Sequence, residues 1–308
     1  MQNTAMTEPS GVLLVHKPAG ITSHDVVNRM RRLYGTRRVG HTGTLDPMAT
    51  GLLVVLVGRA AKASEYLAAD SKRYRAVLRL GLTTDTEDTT GTVLTTAKRL
   101  PENQELQAIL PRFRGAIQQI PPMYSALKVG GKKLVDLARQ GVVIERQART
   151  IEIHDLTASP VDGTSSDYRL DVHCSGGTYI RTLCADIGAA LGCGGVMAAL
   201  QRTETSGFSL VDAHTPEEID ALSPEERIAL LIPTESLFAS LPEVRLPKFY
   251  ESLSRNGCEI YQKKIHTDYP TETRVRLADA HGAFYGLGEV REYPDGSAIK
   301  AIKLFCLE

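Results

Sequence analysis

His41-Thr42-Gly43-Thr44-Leu45-Asp46-Pro47-Met48-Ala49-Thr50-Gly51, running straight into the apolar stretch 52–57, is the segment around which the chain is organised. Glycines flank a short loop whose one ionisable acid is Asp46, and Pro47 forces the residue before it into extended backbone. A loop of that kind presents a single carboxylate from a rigid support. The stretch 52–57 contains no polar residue and reads as a strand. An isolated Asp-Pro would read as a turn stabiliser. Here the acid lies in the most basic third of the chain, between apolar segments, which favours a chemical role.

Working outward, residues 11–16 read as a strand that ends in the turn Lys17-Pro18-Ala19-Gly20. Thr22-Ser23-His24-Asp25 has the hydroxyl cap and following acid of a helix start. That helix turns Val26, Val27, Met30 and Leu33 inward and Arg29, Arg31 and Arg32 outward, and stops at Gly35. Residues 40–51 read as loop and 60–69 as a short helix. Residues 72–80 alternate strictly, with Tyr74, Ala76, Leu78 and Leu80 on one face and Arg73, Arg75 and Arg79 on the other. Residues 102–113 look helical, 151–156 and 168–174 look like strands, and 178–191 form a helix between glycines. Strands and helices alternate without regular β-α-β spacing. The pattern predicts an α+β domain with a large mixed sheet flanked by helices.

From residue 209 to about 242 the composition turns acidic, with Pro216, Pro224 and Pro233. We place a linker at 209–243, after a main domain spanning 11–208 and a flexible N-terminus of residues 1–10. Residues 244–308 hold short alternating runs and the turn Tyr293-Pro294-Asp295-Gly296, a pattern that suits a small β-barrel.

No apolar run approaches the length of a membrane helix, and the first residues lack the basic and apolar regions of a signal peptide. A cytoplasmic protein without membrane contact is expected. The five cysteines are odd in number and widely spread, with neither a C-x-x-C pair nor zinc spacing, so disulfides and a metal are not expected. Net charge is zero, yet residues 11–80 carry twelve Lys and Arg against four acids. The compensating acids concentrate in 215–235, where Glu217, Glu218, Asp220, Glu225, Glu226 and Glu235 face only Arg227. One end is suited to a polyanion; the other keeps the whole soluble.

Two further residues stand out. Gly176-Gly177-Thr178-Tyr179-Ile180-Arg181 puts a cation in the first turn of a helix, where the macrodipole disfavours it by ~0.3–1 kcal/mol. The placement makes sense if Arg181 pairs with a carboxylate, either Asp186 nearby or Asp46, which it would hold ionised. Tyr74 sits on the apolar face of a strand whose other face is arginine-rich. It reads either as core or as a platform for an extruded base.

Taken together these segments resemble the TruB family, the bacterial tRNA pseudouridine-55 synthases. The resemblance rests on 11–20 with Thr22-Ser23-His24, the Asp46 loop, Lys72-Arg73-Tyr74, Thr84-Asp85-Thr86-Glu87-Asp88, 121–128, and 177–183, in one order. The C-terminal segment resembles the small RNA-binding PUA barrel. The resemblance implies a catalytic pseudouridine synthase domain at 11–208 and a PUA-like domain at 244–308. It implies conversion of uridine 55 in the T-arm of tRNA with no cofactor and no metal. It also implies that Asp46 is the essential carboxylate, that Tyr74 stacks on the flipped uracil and that Arg181 pairs with Asp46. His41 would fill the space left by the flipped base, and Tyr179 and Leu200 would contact substrate.

The reaction breaks N1–C1′, turns the uracil and re-forms the link through C5. Uracil leaves as a delocalised anion, so one acid suffices where a glycosidase needs two. Water has to be excluded, for which Leu78, Ile180 or Leu200 could serve. Flipping costs a few kcal/mol, and phosphate contacts from 29–38 and from Arg73, Arg75 and Arg79 would offset it. Residues 128–141, with Arg146 and Arg149, resemble the family's RNA-gripping thumb, an insertion spanning about 124–150. Its glycines suggest ordering on RNA binding. A monomer with no obligatory protein partner is expected. The rival readings are a guide-RNA-dependent synthase, a non-catalytic RNA binder or folding chaperone, and an N-glycosidase releasing uracil.

Overall fold

The computed structural model describes residues 8–67, 71–125 and 127–305. Most of the N-terminal tail, the end of the helix expected at 60–69, Ala126 and Cys306 lie outside the described residues. The first part of the chain runs β1 (Gly11–Lys17), α1 (Ser23–Leu33), β2 (Val39–His41), β3 (Thr50–Val57), β4 (Lys72–Leu80), β5 (Leu82–Thr84) and β6 (Val93–Thr96). It continues with α2 (Asn103–Ile109), β7 (Gly115–Gln119), β8 (Lys128–Val129), β9 (Lys132–Lys133), α3 (Leu134–Arg139), β10 (Arg149–Pro160) and β11 (Asp167–Cys174). Then come α4 (Ile180–Ala190), β12 (Gly195–Thr205), β13 (Phe208–Ser209), α5 (Pro216–Ala221) and α6 (Pro224–Ala229). The chain closes with β14 (Glu243–Arg245), α7 (Lys248–Arg255), β15 (Glu259–Tyr261), β16 (Arg274–Ala278), β17 (Phe284–Tyr293) and β18 (Gly296–Leu304).

The α+β architecture is as expected. A nine-stranded sheet runs β1-β3-β12-β4-β11-β10-β7, with β2 added to β3 and β13 to β12. It is mixed because β12 runs parallel to β3, pairing Gln201 with Thr50 and Arg202 with Gly51, and antiparallel to β4. The all-apolar run of β3 is explained by cover on both faces. Leu52, Val54 and Leu56 pack with Leu237, Phe238, Leu287 and Phe305 on one side. Leu53, Val55 and Val57 pack with Val26, Met30 and Ile219 on the other. Full burial of side chains this size stabilises by roughly 1.5–3 kcal/mol each. Helix α1 begins with the reciprocal Thr22–Asp25 capping box that the sequence announced, and Gly35 follows its C-terminus with φ +62°.

Several local expectations change. The loop 40–51 yields its ends to β2 and β3. Residues 58–66 wind as 3-10 helix, and 102–113 divide into α2 and a 3-10 turn at Pro111. The C-terminal strands form a five-stranded sheet, β14-β16-β17-β18-β15, whose hydrogen-bonded path is open at both ends. Its alternating runs hid α7, which packs on β15 and β18. The acidic segment is not a remote counterweight to the basic one. Glu217 lies 2.6 Å from Arg29, Asp220 is also bonded to Arg29, and Ile232 exchanges backbone hydrogen bonds with Val12 at 2.8–2.9 Å. The β4 arginines are also paired, though partly exposed: Arg73 with Glu204 at 3.1 Å, Arg75 with Asp171 at 3.4 Å and Arg79 with Asp167 at 2.7 Å. Cys174, Cys184 and Cys193 are buried, whereas Cys258 is exposed. No helix among the described residues is long and apolar enough to cross a membrane.

Gly51 sits at the parallel seam with φ +108°, and a Cβ there would lie 2.3 Å from the Arg202 carbonyl oxygen. Gly51→Ala is expected to lose on the order of 3 kcal/mol or more, since both the backbone conformation and the space forbid a side chain. Denaturant unfolding checks this; a near-native midpoint would show that the seam opens freely.

Candidate active site

The loop 42–49 hangs between β2 and β3 and is pinned from beneath. Ser23 Oγ accepts from Leu45 N at 2.9 Å and donates to Leu45 O at 3.1 Å. Lys17, fully buried at the end of β1, donates from Nζ to the carbonyls of Pro18, Ile21 and Pro47 at 2.8, 2.7 and 3.3 Å. Burial pushes the Lys17 amine down to about 8, with Asp46 and Asp25 opposing. From the other side Arg202, 1% exposed, donates to Leu52 O at 2.8 Å and Gly43 O at 3.0 Å, and it hydrogen-bonds the Tyr74 hydroxyl.

Asp46 therefore projects from a fixed backbone. Arg181 meets it from the first turn of α4, with Nε 2.9 Å from Oδ2 and Nη2 3.3 Å from Oδ1. The guanidinium also donates to Thr86 O at 3.1 Å and Tyr124 O at 2.7 Å, and Asp88 stands 3.9 Å from Nε. The partner of Arg181 is thus Asp46 and not Asp186, whose carboxyl burial and Glu87 push up to about 6. Arg181 was expected to keep Asp46 ionised. The guanidinium does pull in that direction, but burial outweighs it and Asp88 adds repulsion, so the carboxyl titrates above the ordinary aspartate value. A third of the Asp46 side chain remains accessible.

That accessible edge faces a cavity of about 530 Å³. Tyr74, Tyr179, Ile180 and Leu200 line it with Asp46 and Arg181. Tyr179 caps α4; Gln119 bonds both its N–H and its carbonyl, at 2.8 and 3.0 Å, and Arg149 lies 4.8 Å from its ring centre. Leu78 is not part of the lining; further along β4 than Tyr74, it is wholly buried in the core. His41 also lies outside the lining. It ends β2, just before the loop, with Nδ1 buried and unpartnered, and burial and Arg202 hold its ring below the ordinary value. The insertion contributes its root: Tyr124, Ser125, Leu127 and Val135 form a wall. Among the described residues no cluster of three or more His, Cys, Asp or Glu is arranged to hold a metal.

This arrangement has relatives. Residues 31–180 match the family described as TruB family pseudouridylate synthase (N terminal domain), and 181–239 match the tRNA pseudouridylate synthase B C-terminal domain. The chain belongs to the TruB family. It is 44% identical over 279 residues to tRNA pseudouridine synthase B of Thiobacillus denitrificans, covering 91% of each chain. The protein of that name from Alkaliphilus oremlandii is 43% identical, over 96% of this chain and 98% of its own. Among solved structures, a chain of a Cbf5-Nop10-Gar1 complex superposes with a TM-score of 0.74 at 25% identity, covering 98% of this chain and 86% of that one. The large mixed sheet and the curled C-terminal sheet are therefore those of pseudouridine synthases.

Sequence reading brought Asp46, Tyr74, Tyr179, Arg181 and Leu200 to one cavity and missed what holds them. Lys17 was counted as basic surface, yet a lysine in the tight turn before the cap was a signal of carbonyls to be gathered. Thr86 and Asp88 lay in a quoted motif without a role. Asp88 accepts from Thr86 Oγ1, Thr90 N and Thr90 Oγ1 at 2.8, 2.9 and 2.6 Å, which holds the hairpin turn against Arg181. Arg202 carried no signal beyond its position two residues after Leu200.

Because Asp88 raises the Asp46 carboxyl, Asp88→Asn is expected to move the acid limb of the kcat/KM profile to lower pH. Activity that depends on ionised Asp46 appears as pH rises through its folded pKa; removing a neighbouring negative charge lowers that pKa. An unmoved limb in a pH–rate series would uncouple the two carboxylates.

Proposed function

We infer that this chain isomerises uridine to pseudouridine at position 55 in the T-arm of tRNA. The observation that carries the chemistry is the Asp46–Arg181 pair on the wall of a cavity closed by Tyr74, Ile180 and Leu200. On this reading Asp46 acts on the N1–C1′ linkage of a flipped uridine. Arg181 orients the carboxylate, and Tyr74 stacks on the uracil. Tyr179 and Leu200 contact the nucleotide and, with Ile180, keep water from the detached base. His41, at the end of β2 beside the loop, fills the space left by the flipped base. No cofactor or metal is invoked, because uracil departs as a stabilised anion.

The RNA approaches over the root of the 124–150 insertion, in which Val143 is 77% exposed, and the insertion orders on tRNA. The enzyme works as a cytoplasmic monomer without a guide RNA or protein partner, with residues 11–208 as its catalytic unit, 209–243 as a linker and 244–308 as an RNA-binding PUA-like unit. Identity of 44% to a tRNA pseudouridine synthase B, against 25% to a chain of the Cbf5 complex, supports this over the guide-dependent rival.

Unmodified tRNA transcript, incubated with purified protein alone, is expected to gain pseudouridine in the T-arm. Free uracil would indicate a glycosidase and unchanged RNA a binder. Asp46→Asn is expected to fold and bind tRNA without turnover; normal conversion would remove Asp46 from the chemistry. Arg181→Lys is expected to lose roughly 10²–10³-fold in kcat, since an ammonium cannot serve Asp46, Thr86 and Tyr124 at once. Rates within a few-fold of the parent would confine Arg181 to a structural role.

A further inference from the structure

Within the cavity, the hydroxyl of Ser125 has no assigned task. The residue is 5% exposed and lines the cavity, and its Oγ is buried without a hydrogen-bond partner. Buried hydroxyls are almost always satisfied, so an idle one at a substrate pocket points to the ligand that completes it. Its backbone is already committed. Ser125 N donates to Met123 O at 2.9 Å, and Ser125 O accepts from Val135 N, at the start of α3, at 3.1 Å. Only Oγ is left unpartnered.

The neighbouring residue fixes which part of a nucleotide Oγ would meet. Tyr124 O accepts from Arg181 Nη2 at 2.7 Å, and that same nitrogen is 3.3 Å from Asp46 Oδ1. The peptide that joins Tyr124 to Ser125 thus lies on the carboxylate side of the cavity. The base is taken up by the ring of Tyr74, on β4. With Asp46 at C1′, which rests on the function proposed above, the hydroxyl on the adjoining carbon is the ribose 2′-OH. That group both donates and accepts, as does a serine hydroxyl.

We propose that Ser125 Oγ hydrogen-bonds the 2′-hydroxyl of the flipped nucleotide and is the residue that reads ribose at the target position. Because the same residue anchors the first turn of α3, the contact also ties occupancy of the cavity to the root of the RNA-gripping insertion.

The test is a double-mutant cycle on binding. T-arm hairpins carrying uridine or 2′-deoxyuridine at the target are titrated into two proteins, Asp46→Asn alone and Asp46→Asn combined with Ser125→Ala, so that no turnover intervenes. Removing the 2′-hydroxyl is expected to weaken binding about 5-fold with Ser125 present and not at all in Ser125→Ala, the effect of one neutral hydrogen bond. Ser125→Ala retains both backbone bonds, and an unchanged melting temperature confirms its fold. Equal ribose preference with and without the hydroxyl overturns the proposal, as does the absence of any preference in both. Failure of the underlying function is separately visible, because the parent protein would then leave unmodified tRNA without pseudouridine.

Discussion

A guanidinium sealed between strands sets the geometry of everything around it. Arg202 pairs through its backbone with Gly51 of β3 on one side and Tyr74 of β4 on the other, at the seam where the sheet changes from parallel to antiparallel. Its side chain then reaches Leu52 O, Gly43 O and the Tyr74 hydroxyl. One residue thereby fixes the start of β3, the approach of the acid-bearing loop and the aromatic ring across the cavity. Burying a cation is costly unless its donors are met, and here carbonyls and a phenol meet them. Glycine at 51 follows from the same crowding.

Arg181 solves the complementary problem. A loop acid alone would swing toward water. Anchored by Thr86 and Tyr124 as well as by Asp46, the guanidinium cannot follow it. Asp88 adds a second negative charge 3.9 Å from the same Nε that meets Asp46. The outcome is an acid that is oriented by a cation yet still harder to ionise than a free aspartate, because burial is the largest influence upon it. Orientation and ease of ionisation are separate properties, and at Asp46 they run in opposite directions.

The parts legible in the sequence were those with a local signature. Period-two burial disclosed β4 and the inward Tyr74, an unbroken apolar run disclosed β3, and the capping box disclosed α1. The ill-placed cation in the first turn of α4 disclosed Arg181. What escaped were contacts made across long sequence separations, since neither Lys17 to Pro47 nor Arg202 to Gly43 leaves a periodic trace. Charge misled for the same reason. Counting Arg29, Arg73, Arg75 and Arg79 as open cations ignored acids on neighbouring strands and helices, and only folding revealed those pairs. Helix α7 was missed because its apolar positions are too few to outweigh the strand-like runs around it.

The pairing of arginines across β4 and its neighbours also shapes the charge of the face they share. Glu204, Asp171 and Asp167 each stand beside one of these arginines, whose side chains stay 42–65% exposed. Around the cavity, Arg149 instead spends its guanidinium on an aromatic ring and on the carbonyl of Gly177. The zero net charge of the chain is thus reached locally, cation by cation, and the β4 face carries charge of both signs rather than a bare basic stripe.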